Sequence, residues 1–190
     1  MRWEVARALS EHHGLPRSSV FETLYRTETW RDIERGIGDP EAWKARAHAE
    51  LETRAGKTLP PLHESWRLSQ RPIGANLELV ERLRPPYKVS VLSNADCALR
   101  GRLEHEMRIH HLFDDIVCSA EVGMAKPQAE IFELAAARLA VTPAECVFVD
   151  DWDQNVDAAR AVGMTGVCYR IDRGDDLAAL LAAVGVRPRA

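Results

Sequence analysis

Apolar residues recur at helical spacing over about the first seventy positions, and no stretch alternates as a strand would. Val5, Ala6 and Leu9 share one face of a first predicted helix, which Gly14 and Pro16 end. Ser19 and Glu22 stand at capping-box spacing, the hydroxyl serving one free backbone N–H and the carboxylate reaching back to another. They predict a second helix with Phe21, Leu24 and Tyr25 as its apolar stripe. Asp39 before Pro40 predicts an N-cap followed by a residue whose φ is already helical, and Trp43, Ala47 and Leu51 follow at intervals of four.

The pattern changes near Pro72. Ile73, Leu77, Val80 and Leu83 mark a helix, and then short apolar runs, YKVSVLS, DIVCS, CVFVD and TGVCY, alternate with helical stretches. Those stretches run through Leu99 and Leu103, through Ile131, Ala135 and Leu139, through Val156, Ala159 and Ala161, and from Leu177 to Leu181. Short strands that are apolar on both faces and separated by helices predict a parallel sheet covered on both sides. The expected fold is therefore α/β: a Rossmann-like parallel core flanked by helices over 72–190, preceded by an all-helical unit over 1–71.

Composition narrows the functional classes. The chain has 190 residues and a formal net charge of −4, with Lys and Arg interspersed among Asp and Glu. No basic stripe tracks a phosphate backbone, so nucleic acid is not an expected partner. Neither a membrane span nor the apolar block of a secretory signal is visible, and a cytoplasmic protein acting without a membrane is the expectation, as monomer or homodimer. The four cysteines, Cys97, Cys118, Cys146 and Cys168, form no Cys-x-x-Cys pair, and three lie in apolar runs where a free thiol packs as a small hydrophobe. Trp3, Trp30, Trp43 and Trp66 fall in the helical unit and are expected to fill its core.

In an open α/β sheet ligands bind beyond the carboxyl ends of the strands. The first strand runs out into Ser93 and Asn94, the third into Asp150 and Asp151, and Lys126 follows the second, just ahead of Pro127. Topology thus directs a hydroxyl, an amide, an ammonium and two carboxylates to one crevice. Adjacent carboxylates repel unless a cation offsets them, and Mg²⁺ is commonly held by one or two carboxylates with waters and phosphate oxygens. Lys126 is a compact positive charge for a phosphate, Ser93 and the amides around Asn94 are donors to phosphoryl oxygens, and Asn155 can orient a ligand from the next turn. The set reads as a phosphoryl-transfer site without a nucleophile. Trp152, beside the Asp pair, either walls the crevice or packs the loop.

VLSN at 91–94, EVGMAKPQAEIF at 121–132 and VFVDDWDQNVDAARAVGM at 147–164 resemble the second, third and fourth motifs of the haloacid dehalogenase-like hydrolases, in the branch with an early helical cap. The resemblance implies that Ser93 binds the phosphoryl group, that Lys126 stabilises it and the nucleophile, and that Asp150 with Asp151 holds Mg²⁺, Asp151 as the more direct ligand. The substrate class it implies is a small phosphorylated or otherwise anionic metabolite, hydrolysed through an aspartyl-phosphate. Family members open with a strand ending in the nucleophilic Asp, placed centrally between the strands that end here in Ser93 and Asp150. No Asp precedes Asp32, and neither Asp32 nor Asp39 follows an apolar strand, so no residue takes that role. Removing about five buried side chains at roughly 1.5–3 kcal/mol each rivals a domain's whole stability. A shortened, inactive version of a phosphatase is the expectation. The alternatives are a carbon–halogen hydrolase, disfavoured by the Asp pair, and a non-catalytic binding protein whose open sheet edges another chain completes.

Overall fold

The computed structural model describes residues 3–189, without the side chain of Trp3. Five helices come first: α1 (Trp3–His12), α2 (Ser19–Tyr25), α3 (Glu28–Ile33), α4 (Pro40–Ala55) and α5 (Leu62–Ser69). They enclose one hydrophobic cluster, whose most deeply buried large members are Val20, Leu24, Leu51, Leu62 and Trp66. α4 forms as its sequence dictates. Asp39 Oδ1 accepts from the N–H groups of Glu41 and Ala42, Pro40 opens the first turn, and Trp43, Ala47 and Leu51 are buried. Gly56, left-handed at φ 64°, ends it.

The start of α2 departs from expectation. No capping box forms: Ser18 is the cap residue and makes no side-chain cap bond. Ser19 lies inside the helix, 1% exposed, with its hydroxyl unpartnered, and Glu22 reaches Arg54 instead. The N–H of Val20 is served from α1, by Ser10 Oγ at 3.2 Å, which itself donates to Ala6 O. A buried hydroxyl on the neighbouring helix replaces the local cap, and this frees the Ser19 side to face the core.

After α6 (Gly74–Leu83) the chain alternates: β1 (Ser90–Ser93), α7 (Leu99–Gly101), β2 (Asp115–Cys118), α8 (Ser119–Val122), α9 (Ala129–Arg138), β3 (Val147–Asp150), α10 (Asp153–Ala161), β4 (Thr165–Cys168) and α11 (Leu177–Ala183). The helix expected through Leu99 and Leu103 forms, but after one turn α7 widens into a π-helical turn over Arg102–Glu106. β1 pairs in parallel with β2, Ser93 opposite Cys118, and β3 with β4, Asp150 opposite Cys168. The four strands form two separate two-stranded sheets.

Helices cover both faces. On one, Ile131, Phe132, Ala135 and Ala136 of α9 and Ala159 of α10 pack with Val117, Phe148 and Leu92. On the other, Leu79 and Leu83 of α6 and Leu181 of α11 pack with Val89, Val147 and Val149. Each layer takes side chains from the β1 and β3 segments alike. The period-2 alternation of a strand sends Val147 and Val149 one way and Phe148 the other. β1 and β3 therefore lie in one layer sandwich without being bonded to each other, and every residue of β1 is half-buried whereas Val117 and Cys118 of β2 are fully buried. The architecture is α/β, with parallel strands flanked by helices. Among the described residues no helix is long and apolar enough to cross a membrane, and the four cysteines are free.

Candidate active site

β1 and β3 end side by side, and the loop between α8 and α9 brings Lys126 between them. Its ammonium donates to Asp150 Oδ2 at 2.6 Å and to the carbonyl of Leu92 at 3.0 Å, and lies 5.3 Å from the centroid of the Phe148 ring. One cation thus bridges the ends of the two strands that do not pair. Asp150 Oδ1 accepts from the Trp152 N–H at 2.9 Å and from Asn155 Nδ2 at 3.1 Å. Both side chains of the pair are 8% exposed, so desolvation is severe and is offset only because each ion has further partners.

Asn94 fixes the lysine's backbone. Its Oδ1 accepts from the Lys126 N–H at 2.8 Å and its Nδ2 donates to the Lys126 carbonyl at 2.9 Å, a two-way clamp across 32 residues of chain. Nδ2 also donates to Glu34 Oε2 at 3.2 Å. Ser93 stands one residue before, half-buried, and its hydroxyl makes no hydrogen bond to the described residues. Asp151 follows Asp150 directly, also half-buried. Asn94, Lys126, Asp150 and Asn155 thus form one bonded chain, flanked by Ser93 on one strand end and Asp151 on the other.

Three further residues come from the helical unit, and none was legible as a site residue. Burial pushes the Glu34 carboxyl above the ordinary range, against the pull of Asn94, Trp30 and nearby arginines. Glu34 is delivered by the turn after α3, where Gly36, at φ 75°, approaches so closely that a Cβ there would lie 2.2 Å from the Ala120 carbonyl oxygen. Phe21 and Arg26 meet Trp152: the ring centroids are 6.2 Å apart and the Arg26 guanidinium carbon is 5.2 Å from the Trp152 ring. Trp152 therefore walls the seam between the helical unit and the strand ends. The GIGDP segment has a turn's composition, and nothing in its periodicity tells what it packs against.

The donor set tests the fit of a metal. Among the described residues no group of three or more His, Cys, Asp or Glu side chains could hold one, so a closed protein cage is not built. An ionised carboxylate has about four acceptor sites. Asp150 already accepts three N–H bonds, two on Oδ1 and one on Oδ2. The arrangement fits a hard cation that takes Asp151, with little from Asp150, and fills its other positions with water and phosphate oxygens, as Mg²⁺ does.

A family model described as haloacid dehalogenase-like hydrolase matches residues 20–163. The chain is 30% identical over 149 residues to a sesquiterpene phosphatase of Aspergillus oryzae, covering 76% of this chain and 74% of that protein. It is 31% identical over 176 residues to a flavin mononucleotide hydrolase of Arabidopsis thaliana, covering 91% and 68%. Among solved structures, a haloacid dehalogenase-family enzyme of Bacteroides thetaiotaomicron, in a mutant form complexed with magnesium and inorganic phosphate, superposes with a TM-score of 0.64 at 21% identity, over 86% of this chain and 90% of that one.

Proposed function

Since this chain belongs to the haloacid dehalogenase-like hydrolases, we propose that its site serves Mg²⁺-dependent hydrolysis of phosphate monoesters of small metabolites. The observation that carries the reading is the buried Lys126–Asp150 pair bridging the ends of β1 and β3. A cation held that way is pre-aimed and needs no reorganisation to meet a phosphoryl oxygen. In this reading residues 1–71 act as a cap and 72–190 as the catalytic core. The free Ser93 hydroxyl and the amides around Asn94 bind phosphoryl oxygens. Lys126 offsets their charge, Asp150 and Asn155 fix Lys126 and the turn after β3, and Asp151 holds the cation. Bound Mg²⁺ supplies charge neutralisation for the phosphoryl group.

The aspartyl-phosphate route needs a carboxylate oxygen to attack phosphorus while the P–O bond to the leaving group breaks and that oxygen takes up a proton. Water then attacks the acyl phosphate, releasing inorganic phosphate and restoring the carboxylate. Asp150 is held by Lys126 and Asp151 is assigned to the cation, so neither takes that part, and the 190 residues by themselves are proposed to be inactive. A strand ending in Asp and seated between β1 and β3 would complete the site. The test is phosphate release from a broad panel of phosphate esters, by the chain alone and by the chain extended with such a strand. Turnover only in the extended protein, abolished by EDTA, is expected. No turnover in either sinks the reading, and turnover that EDTA leaves intact sinks its metal dependence.

A second reading draws on the split sheet: a non-catalytic protein whose β1 and β3 edges are completed by another chain. It expects the extended protein to stay inactive while the 190-residue chain co-purifies with a defined partner.

A further inference from the structure

A cleft of about 920 Å³ opens in the helical unit between α2 and α4, with Phe21 and Arg26 on its wall and Arg46 and Arg54 across from them. Its carboxylates are already matched. Glu22 and Glu50 pair with Arg54, at 3.8 and 2.8 Å, and Glu28 pairs with Arg31 at 2.7 Å. Arg26 has no carboxylate partner among the described residues. Its guanidinium is instead held by two rings, with its central carbon 5.6 Å from the Phe21 centroid and 5.2 Å from that of Trp152. Trp152 belongs to the turn that begins with Asp151, and its own N–H is bonded to Asp150. A permanently charged group on the cleft wall is thus fixed beside Trp152, in the turn that follows β3. Stacking engages the face of a guanidinium and leaves its N–H fork, the part that binds oxyanions in bidentate fashion.

We infer that Arg26 is a specificity-determining residue, recognising a second oxyanion, carboxylate or phosphate, on the leaving portion of the substrate. The inference rests on the phosphate-ester reading above and deepens it: the preferred substrates carry one phosphoryl group at Lys126 and another negative group that reaches past Trp152 to Arg26. A residue that only pinned the helical unit to the core would not distinguish such ligands from neutral ones.

Calorimetric titration of the 190-residue chain in Mg²⁺ tests this without turnover, using inorganic phosphate, ethyl phosphate, phosphoglycolate and ethylene glycol bisphosphate. At least one of the two ligands that carry a second anionic group is expected to bind about tenfold more tightly than ethyl phosphate. Which one does so separates a carboxylate from a phosphate as the second group. Arg26→Met is expected to bring the ratio within about twofold while leaving inorganic phosphate binding unchanged, and Arg26→Lys to retain part of the preference. Arg46→Met, which removes a cation on the same cleft that has no carboxylate partner among the described residues and makes no ring contact with Trp152, is expected to keep the ratio. Equal binding of all the esters overturns the inference, as does an equal loss in Arg46→Met, which marks diffuse charge. Absence of inorganic phosphate binding both in this chain and in the chain extended with the strand that completes the site brings down the phosphate-ester reading and this inference together, whereas phosphate binding without discrimination brings down the inference alone.

Discussion

The ammonium of Lys126 lies 2.6 Å from Oδ2 of Asp150, and only 8% of each side chain is exposed. Removing one member of such a pair strands the other in a dry environment, which costs more than the pair contributes. Lys126→Met keeps the aliphatic stem but leaves Asp150 with only Trp152 N–H and Asn155. A loss of about 3 kcal/mol is expected from urea denaturation. The double variant with Asp150→Asn is expected to lose less than the two singles added. A single-variant loss under about 1 kcal/mol would mean that the pair is solvated, as surface pairs are.

Glu34 carries a pH signature. Burial raises its folded pKa above that of a carboxyl in the unfolded chain. As pH climbs through that value the unfolded chain releases its proton while the folded chain retains it, so ν_N exceeds ν_U and stability falls with rising pH until the folded pKa is passed. The stabilising share of Glu34 is thus fully present at low pH and lost on the way up. Glu34→Gln, neutral at every pH and still able to accept from Asn94, is expected to be more stable than the parent at pH 7, with the difference shrinking towards pH 4. Denaturation curves at both pH values check this, and a gap that widens on acidification contradicts it.

Gly36 joins the helical unit to the core by lacking a side chain. Its φ of 75° disfavours any L residue, and an added Cβ would meet the backbone oxygen of Ala120 at 2.2 Å. Because the obstacle is backbone, Gly36→Ala must push the turn after α3 away and with it the Glu34 contact to Asn94. A destabilisation of at least about 1–2 kcal/mol is expected from the left-handed conformation alone. Thermal unfolding gives the size, and slower proteolysis of the variant than of the parent would count against it.

What could be read in advance was local or topological. The Asp39 cap of α4 is an affair of two and three residues, so its sequence suffices. The capping box at Ser19 has the right letters, yet Ser10, ten residues away from Val20, takes over the N–H that a cap would serve. Asn94, Lys126, Asp150 and Asn155 were legible because strand ends of a parallel sheet share one edge, which places distant residues together once the strands are found. Glu34, Arg26 and the orientation of Trp152 were not. They depend on how the helical unit sits against the strand ends, and hydrophobic periodicity specifies which face of a helix is buried without specifying its neighbour.

The division of labour proposed for the two aspartates gives the last prediction. Asp150 accepts from Lys126, Trp152 N–H and Asn155, which fills three of about four acceptor sites. A cation competing for the fourth would sit against a lysine ammonium, so repulsion disfavours it there and the assignment falls to Asp151. Asp151→Asn is therefore expected to weaken the Mg²⁺ enhancement of inorganic phosphate binding by about tenfold or more, since a neutral amide is a poor ligand for a hard cation. Its unfolding midpoint should move little, because the side chain is only half-buried. Asp150→Asn should do the reverse: it removes the counter-ion of a buried lysine and lowers stability by several kcal/mol. Phosphate titrations with and without Mg²⁺, set beside urea curves for both variants, separate the roles. An Asp151→Asn protein that responds to Mg²⁺ like the parent would move the cation to other ligands.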